Sequence, residues 1–526
     1  MADNTHDTSA DTDLFPQEVD ALDDATTSTV TALSDGAVYA LRIAPVRKRI
    51  AGGLVRMLAY NGSIPGPLLR VKQGTTVTVE VTNDADLAQT VHWHGLRLEN
   101  RFDGVPYETQ QPIPVGGRYT CQLRFPDPGL YWYHPHVRED YAQEMGLYGQ
   151  IIVESTEPDY WPPVNREIPL TLDDVLLEDG RMPAFHRSGP TYTMMGRFGT
   201  VLLVSGETEP SFEVTVGEVA RLYLTNTANT RIFNVAITGA TIKLVGGDSG
   251  RFEREEIVES VMIAPSERAI IDVLFEEHGT AVLQHRTPDD SSTLATFTVA
   301  EGTPSPSLID AYRELRYDEA LTAERAGLAE YRDRAPDKTL QFVGEMDMSG
   351  MDMSGMDMSM GEMEHEDRGA DEMEPMSQAE ATDEGVEWED TMAEMNVMSN
   401  RSNMSWKLVD TATGAANREI SWDFRVGDRI KIRLDNSVGS DHQMHHPFHI
   451  HGAGRFLVLD RGGEPEPNLV WKDTVLVRAG EVVNILLNVT NPGRWMAHCH
   501  IAEHIETGMM FSFDARQGAE KSQVAP

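Results

Sequence analysis

The stretch Val71-Lys-Gln-Gly74-Thr-Thr-Val-Thr-Val-Glu-Val-Thr-Asn83 alternates apolar and polar residues between a glycine and an asparagine. A period of two is typical of a β-strand, and glycine and asparagine mark the turns that bound strands. The same phrase returns at residues 214–226 and 424–436, again with nine residues from glycine to asparagine. The chain therefore repeats one β unit three times.

Each copy continues with a short strand that ends in glycine and closes on a strand that begins with glycine. Many short strands at this spacing are typical of antiparallel sandwiches. We therefore expect an all-β chain of three tandem Greek-key β-sandwich domains. The expected domain limits are 28–156, 157–304 and 386–516. Residues 305–385 are expected to form a linker, with one or two helices in 307–333, followed by a disordered, acidic, Met-rich insert. An acidic disordered tail is expected at 1–27 and a second tail at 517–526.

Acidic residues are concentrated in two stretches of the chain. The net charge is −40, of which residues 1–26 carry −8 and residues 345–390 carry −16, so the rest of the chain carries −16. Acidic segments repel phosphates, and we expect no nucleic-acid partner. No apolar run reaches the ~18 residues of a membrane helix, and no export signal can be read at the N-terminus. Cys121 is expected as a buried strand residue without a disulfide partner.

The stretch Trp495-Met-Ala-His-Cys-His-Ile-Ala-Glu-His-Ile-Glu-Thr-Gly-Met509 combines a thiol, imidazoles and a thioether. In a strand, the two histidines that flank Cys499 share one face and the thiol takes the other. Cys499, His504, Met509 and one further histidine suit a trigonal copper with a weak axial thioether, which is an electron-transfer centre. The flanking histidines must then serve another metal behind the strand.

Histidine motifs occupy equivalent places in the first and last copies and use ten of the seventeen histidines. The middle copy has Ala236, Thr238, Gln284 and Arg286 at the corresponding places, so it kept the strands and lost the ligands. A metal site built by the outer copies must therefore lie between them. The motifs are His92-x-His94, His134-x-His136, His446-x-x-His449-x-His451 and His498-Cys499-His500-x3-His504-x4-Met509.

These motifs resemble those of the multicopper oxidase family, the laccases and cuprous oxidases, over about residues 30–300 and 386–516. The resemblance implies three cupredoxin domains, an extracytoplasmic location, four copper ions, and electron transfer from a small reductant to dioxygen; we expect a monomer. It implies a type 1 copper on His446, Cys499, His504 and Met509, a type 2 copper on His92 and His449, and a type 3 pair with one ion on His94, His134 and His500 and the other on His136, His451 and His498.

Reduction of dioxygen to water consumes protons, which a carboxyl group within hydrogen-bond reach could supply. Asp103, nine residues after His94, matches the first-domain acid of the family. Many bacterial members have a glutamate directly after the last type 1 histidine, where this chain has Ile505. Glu506 and Glu503 lie on either side of this position and are the remaining candidates.

The reductant is suggested by ten methionines between Met346 and Met376. Thioethers are soft ligands that suit Cu(I), so we favour a cuprous oxidase in copper tolerance over a laccase that oxidises phenols or aromatic amines. A copper-sequestering protein is the non-enzyme alternative, and the methionines themselves could be passive disorder or an oxidant sink. The candidate Cu(I) ligands are Met346, Met348, Met351, Met353, Met356, Met358, Met360 and Met363.

The segment before His446 is a second candidate for copper capture. It contains Asp441, His442, Met444 and His445, which offer carboxylate, imidazole and thioether donors. A solvated loop is the alternative interpretation of the same residues.

Overall fold

The computed structural model describes residues 13–347, 385–437 and 439–518. Their strands form six sheets, which pair into three sandwiches in the order of the chain. Each sandwich has its own large apolar core. The predicted all-β fold with three sandwiches is confirmed.

Nine strands build the first sandwich. One sheet has the order β1-β4-β9-β8-β6 and the other β3-β2-β5-β7. The two sheets share a core that includes Val79 of one and Trp93 of the other. The strands are β1 (Val30–Leu33), β2 (Val38–Ile50), β3 (Gly53–Tyr60), β4 (Leu68–Lys72), β5 (Thr76–Asn83), β6 (Val91–His94), β7 (Arg118–Arg124), β8 (Gly129–Pro135) and β9 (Gly149–Glu154).

Eleven strands build the middle sandwich, in sheets of order β11-β10-β13-β18-β15-β16 and β12-β20-β19-β14-β17. Leu222 and Phe297, one from each sheet, lie in its core. The strands are β10 (Arg166–Val175), β11 (Val201–Val204), β12 (Ser211–Thr215), β13 (Val219–Asn226), β14 (Phe233–Thr238), β15 (Thr241–Gly247), β16 (Gly250–Val258), β17 (Ser260–Ile263), β18 (Arg268–Leu274), β19 (Gly279–Arg286) and β20 (Ser291–Ala300).

The last sandwich also has eleven strands, in sheets of order β22-β21-β24-β29-β26-β27 and β23-β31-β30-β25-β28. Its core includes Ile485 and Phe448. The strands are β21 (Lys338–Met346), β22 (Met404–Asp410), β23 (Asp423–Arg425), β24 (Arg429–Asp435), β25 (His446–Ile450), β26 (Gly454–Arg461), β27 (Glu464–Pro465), β28 (Thr474–Val477), β29 (Val482–Val489), β30 (Gly493–Cys499) and β31 (Met510–Arg516).

The asparagine that ends each repeat has the same role in all three sandwiches. The buried amide of Asn83 donates to the carbonyl oxygens of two loop residues at 2.9 and 2.8 Å. Asn226 donates to the carbonyl oxygens of Arg231 and of Ile263, the last residue of β17, at 2.8 and 2.8 Å, and Asn436 to those of Met444 and Arg478 at 2.8 and 2.9 Å. The repeat therefore encodes a side chain that holds two loops at the end of a strand, because a buried carbonyl oxygen needs a donor.

Five α-helices occur in the described ranges: α1 (Glu139–Ala142), α2 (Ile309–Arg313), α3 (Glu319–Asp333), α4 (Ala393–Met398) and α5 (Ala502–Glu506). Asp318 caps α3 by accepting a hydrogen bond from the Leu321 amide at 2.9 Å. Leu321 and Leu328 pack with Leu457 of the last sandwich. The helices predicted within 307–333 are confirmed. None of the helices in these ranges has the length and apolar character needed to cross a membrane.

Strand β21 lies within the predicted linker. It pairs in parallel with β24 and antiparallel with β22, and its Leu340 and Phe342 are buried. The predicted start of the last domain at residue 386 is therefore wrong for this sheet. The Met-rich residues 348–384 lie outside the described residues, and the other predicted limits stay predictions.

Residues 13–27 pack on the first sandwich and α1. The Phe15 ring stacks on Tyr141 with 3.8 Å between ring centroids, and the Phe15 amide donates to the Phe185 carbonyl oxygen at 3.0 Å. The prediction of a disordered tail is therefore wrong for residues 13–27. Residues 1–12 and 519–526 lie outside the described residues.

Candidate metal centre

Strand pairing brings two histidine motifs together within the first sandwich and two within the last. His92 of β6 lies opposite His134 of β8, and His449 of β25 lies opposite His498 of β30. Rings from the two sandwiches meet, with 3.8 Å between the centroids of His94 and His449. We call eight buried residues the histidine cluster: His92, His94, His134, His136, His449, His451, His498 and His500.

Oxygen atoms hold one ring nitrogen of seven cluster members. Such a contact fixes the ring and leaves the lone pair on the opposite nitrogen when the ring is neutral. The oxygens belong to Asp103 for His92 (2.6 Å) and His451 (2.8 Å), Pro135 for His134 (2.7 Å), Glu139 for His136 (2.8 Å), Asp473 for His94 (3.0 Å) and His449 (2.9 Å), and Cys499 for His498 (2.8 Å).

Nε2 of His451 and Nε2 of His498 lie 3.0 Å from each other. The other nitrogens that face the centre of the cluster are buried and have no hydrogen-bond partner. This holds for Nε2 of His92, His134, His136 and His449, for Nδ1 of His94 and for both nitrogens of His500. Unpaired buried polar atoms are rare in folded proteins. Burial lowers the pKa of His500 to about 4 and that of His451 to about 3, so these rings are neutral at pH 7. Neutral, converging imidazoles are what a metal ion requires, and the residues fit bound metal.

In three sets of three cluster histidines, the ligand nitrogens of each set all lie within 4.8 Å of one another. One set joins the three residues that the resemblance implies for a single type 3 ion, and another joins the implied type 2 residues with His451. His500 lies 5.0 Å from His134 and 5.1 Å from His94 between ring centroids. The sets are His136, His451 and His498; His92, His449 and His451; and His92, His94 and His134.

A second group of donors lies on the other face of β30. The Cys499 sulfur is 3.5 Å from Nδ1 of His446 and 3.7 Å from Nδ1 of His504. Burial raises the pKa of the Cys499 thiol, and a bound cation would have the opposite effect. Met509 is buried, and its carbonyl oxygen accepts from the Cys499 amide at 3.2 Å. These four residues are the mononuclear group, one peptide bond from the cluster through His498 and His500.

Asp103 lies between the two halves of the histidine cluster. Its Oδ2 is 2.8 Å from Nδ1 of His451 and its Oδ1 is 3.4 Å from Nδ1 of His92. Burial alone would raise the pKa of Asp103, but the imidazoles of His451 and His92 hold this pKa below its usual value. The structure thus places this candidate acid against the cluster.

The other two predicted acids lie on α5. Burial raises the pKa of Glu503 to about 8, and its Oε2 accepts a hydrogen bond from the Thr230 hydroxyl at 3.5 Å. Burial and Asp140 raise the pKa of Glu506 to about 7. Glu506 accepts from the Glu139 amide at 3.2 Å and from Arg401 at 2.7 Å. Neither hydrogen-bonds to a histidine of the cluster.

Sequence reasoning missed Glu139, which does contact the cluster. Its Oε1 is 2.8 Å from Nδ1 of His136, and both side chains are buried. Burial alone would raise the pKa of Glu139, but His136 lowers it. The spacing of three residues from His136 at the start of α1 was the only sequence signal, since the metal-ligating histidines of proteins usually contact a carboxylate or carbonyl oxygen.

The segment before His446 is more enclosed than a solvated loop. Met444 and His445 are buried, and Nε2 of both His442 and His445 lacks a hydrogen-bond partner. Burial lowers the pKa of His442 to about 4 and that of His445 to about 3. The solvated-loop interpretation is therefore wrong for Met444 and His445.

Of the candidate Cu(I) ligands, Met346 ends β21 beside this segment. Its amide donates to the Asp441 carboxylate at 2.9 Å, and it lies opposite Met404 of β22. The remaining candidates, Met348 to Met363, lie outside the described residues.

Known proteins share this arrangement of sandwiches. Models of the multicopper oxidase family match residues 43–158 and 389–519. The chain is 26% identical to the multicopper oxidase MmcO of Mycobacterium tuberculosis, over 89% of this chain and 85% of the relative. It is 24% identical to copper resistance protein A of Escherichia coli, over 91% and 93%.

A solved structure gives the same fold. The multicopper oxidase from Campylobacter jejuni, titled a metallo-oxidase, superposes with a TM-score of 0.66 at 20% identity, covering 94% of this chain and 98% of that one. The two segments that the family models match contain the histidine motifs. The structural likeness also covers the middle sandwich, which lacks them. The chain belongs to the multicopper oxidase family.

Proposed function

We propose that the protein is a cuprous oxidase that acts in copper tolerance. Four Cu(I) ions are oxidised to Cu(II), while one dioxygen takes up the four electrons and four protons and becomes two waters. Membership of the family implies copper cofactors, a reductant and dioxygen. The identity of the reductant, the four-electron stoichiometry and the ligand assignments are part of the proposal, as are an extracytoplasmic location and a monomeric state.

We assign the mononuclear group to a type 1 copper, which supplies one-electron transfer. His92 and His449 are assigned to a type 2 copper. His94, His134 and His500 are assigned to one type 3 ion and His136, His451 and His498 to the other. The protein's part is to present neutral nitrogens, exclude water and fix each ring through its oxygen partner. Asp103 is proposed to move protons to the cluster, with Glu503 and Glu506 as candidates for a second route.

The course of β21 is the observation that carries the cuprous-oxidase proposal. The strand forms a wall of the mononuclear group, where Phe342 stacks on His446 with 5.2 Å between ring centroids. It ends at Met346, whose amide donates to the Asp441 carboxylate at 2.9 Å, and the next methionine of the Met-rich sequence follows two residues later along the chain. A tethered chain of thioethers at this place would raise the local concentration of Cu(I).

The rings that cover the mononuclear group support the same choice. Trp406 of β22 lies 4.2 Å from His504 and 4.8 Å from His446 between ring centroids. Both histidines are buried, with exposures of 0% and 1%. A bulky phenol therefore cannot contact the edge of either imidazole. A copper ion is much smaller and needs only ligand atoms along a path from the surface to the mononuclear group. Laccase activity is therefore the second candidate.

Removing the Met-rich sequence tests the proposal. Deletion of residues 348–376 should raise KM for Cu(I) several-fold and leave phenol oxidation unchanged or faster; β21 and Met346 are retained because they belong to the sheet. A full-length variant with leucine at every methionine from 348 to 376 is the matched control, since it keeps length and charge and removes only the sulfur.

Oxygen uptake with stabilised Cu(I) and with a bulky phenol measures both variants. The leucine variant should match the deletion if thioethers collect the ion, and part of the effect should weaken at high salt because acids also attract the cation. Equal changes in oxygen uptake with Cu(I) and with the phenol would mean that the segment does not collect Cu(I) and only restricts access. That outcome would favour laccase activity.

A further inference from the structure

A buried ion pair joins the middle sandwich to the first and last sandwiches directly behind the histidine cluster. Arg268, at the start of β18, donates to Oδ1 of Asp473 at 2.7 Å and to Oδ2 at 2.6 Å. Two of its three remaining N–H groups donate to the carbonyl oxygens of Leu130 at 2.9 Å and Ser266 at 2.9 Å. The Arg268 and Asp473 side chains are 0% and 2% exposed. The planar guanidinium therefore fixes the carboxylate in one orientation.

Asp473 in turn contacts both sandwiches of the cluster. Its Oδ1 is 3.0 Å from Nε2 of His94, and its main-chain oxygen is 2.9 Å from Nδ1 of His449. The neighbouring Thr474 hydroxyl is 3.1 Å from each of these two nitrogens. One side chain of the middle sandwich is thus two contacts away from His94.

The contact with Asp473 makes His94 different from its neighbours. His92, His134 and His449 present Nε2 to the centre of the cluster, whereas His94 presents Nδ1. An Nε2–H that donates to Asp473 leaves the lone pair on Nδ1, which is buried and has no hydrogen-bond partner. The orientation of the carboxylate therefore decides which nitrogen of His94 can bind a metal.

Gly95 shows how closely the ion pair approaches the strand that carries His94. A Cβ at Gly95 would lie 2.5 Å from Oδ2 of Asp473 and 2.9 Å from NH2 of Arg268, and its φ is +82°. A side chain here would displace the pair and strain the backbone. The glycine after His94 is thus required by the ion pair as well as by the turn.

We propose that Arg268 is a positioning residue for the metal cluster, through which the middle sandwich acts on a site to which it gives no ligand. Arg268 holds Asp473, and Asp473 holds His94 with Nδ1 facing the centre. This inference rests on the proposed function, because it takes the cluster to bind copper. It predicts a selective effect on the cluster, since the mononuclear group lies on the other face of β30.

Arg268→Met and Arg268→Lys test the proposal against Arg221→Met. Arg221 also forms a buried, bidentate pair in the same sandwich, with Asp272 at 2.8 and 2.9 Å. Asp272, unlike Asp473, does not contact a histidine of the cluster. All three variants lose contacts of a buried arginine. Only those at position 268 should change the cluster.

Copper per chain, paramagnetic resonance of the cluster copper and the blue absorbance of the mononuclear site are measured after reconstitution of the full-length protein with Cu(II). Arg268→Met should weaken copper binding by the cluster about 10- to 100-fold and keep the blue absorbance. Arg268→Lys, which can donate to one carboxylate oxygen, should recover part of the binding and serves if Arg268→Met does not fold. Arg221→Met should lower the unfolding temperature with full copper content.

Two outcomes would overturn the proposal. One is full cluster copper with an unchanged resonance spectrum in the position-268 variants. The other is a loss from both copper sites in proportion, matched by Arg221→Met, which would indicate general instability. Failure of the proposed function is separate, because it would appear as missing cluster copper or missing oxygen uptake in the unsubstituted protein.

Discussion

Cys499 provides the only sulfur anion available to the mononuclear group. We expect Cys499→Ser to lose the blue colour, which arises from charge transfer between thiolate and Cu(II), and to lose turnover. Copper in the histidine cluster should stay, because none of its ring contacts involves this sulfur. Absorption spectra and copper per chain measure both effects. Cys121→Ser, at the other buried cysteine, should stay blue, and a blue, active Cys499→Ser protein would contradict the assignment.

Glu139 offers His136 one hydrogen-bond acceptor at 2.8 Å. Glu139→Ala should weaken copper retention by the cluster about 10- to 100-fold, because the ring loses the contact that points Nε2 inward. Glu139→Gln keeps an oxygen acceptor at this place and should retain most of the affinity. Titration with a copper chelator compares the two. If both variants lose copper equally, the negative charge matters and the ring orientation does not.

The asparagine that ends each repeat is expected to stabilise the fold through its two hydrogen bonds. Asn226→Ala removes two hydrogen bonds of 2.8 Å and leaves two buried carbonyl oxygens without this donor. We expect the free energy of unfolding to fall by about 2–4 kcal/mol, at about 1–3 kcal/mol for each unpaired group with partial relaxation. Urea unfolding of the copper-free protein measures it. Half-buried Asn400, whose amide donates to the Met398 carbonyl oxygen two residues away at 3.1 Å, is a control, and Asn400→Ala should cost less because its partners lie at an exposed site.

Local pattern was enough to predict the strand that leads to the asparagine in each repeat. Glycine, alternation and asparagine lie within a dozen residues, so β5, β13 and β24 could be placed from the sequence. Strand β21 was missed although Leu340 and Phe342 alternate with the more polar Thr339 and Gln341, because the low-complexity sequence that follows obscured the pattern. Arg268 and Asp473 are 205 residues apart, and no local pattern encodes a contact of that separation.

At the scale of the whole molecule, buried acids predict how stability depends on pH. Burial raises the pKa of Asp173 to about 8, whereas an unfolded chain gives about 3.9. The folded protein therefore holds a proton that the unfolded chain loses above about pH 4. The stabilisation from Asp173 is present below that pH and is lost as pH rises towards 8.

Asp173→Asn should accordingly flatten the pH dependence of unfolding. Other buried acids, such as Glu144, contribute to both proteins, so the difference between them isolates Asp173. The difference in the free energy of unfolding between the two proteins changes by at most about 1.4 kcal/mol per pH unit. Urea unfolding of copper-free protein at pH 5 and pH 8 measures the difference. Identical slopes for the two proteins would mean that Asp173 is ionised in the folded state.

The histidine cluster draws four residues from positions 92–136 and four from 449–500, whereas the mononuclear group lies wholly within 446–509. During synthesis, the ribosome has therefore released the first half of the cluster long before the second half exists. A chain that stops before the last sandwich carries four histidines of the cluster and none of the mononuclear group. The histidine cluster is complete only when both ends of the chain have met, so under the proposed function the fold itself sets when oxygen reduction can begin.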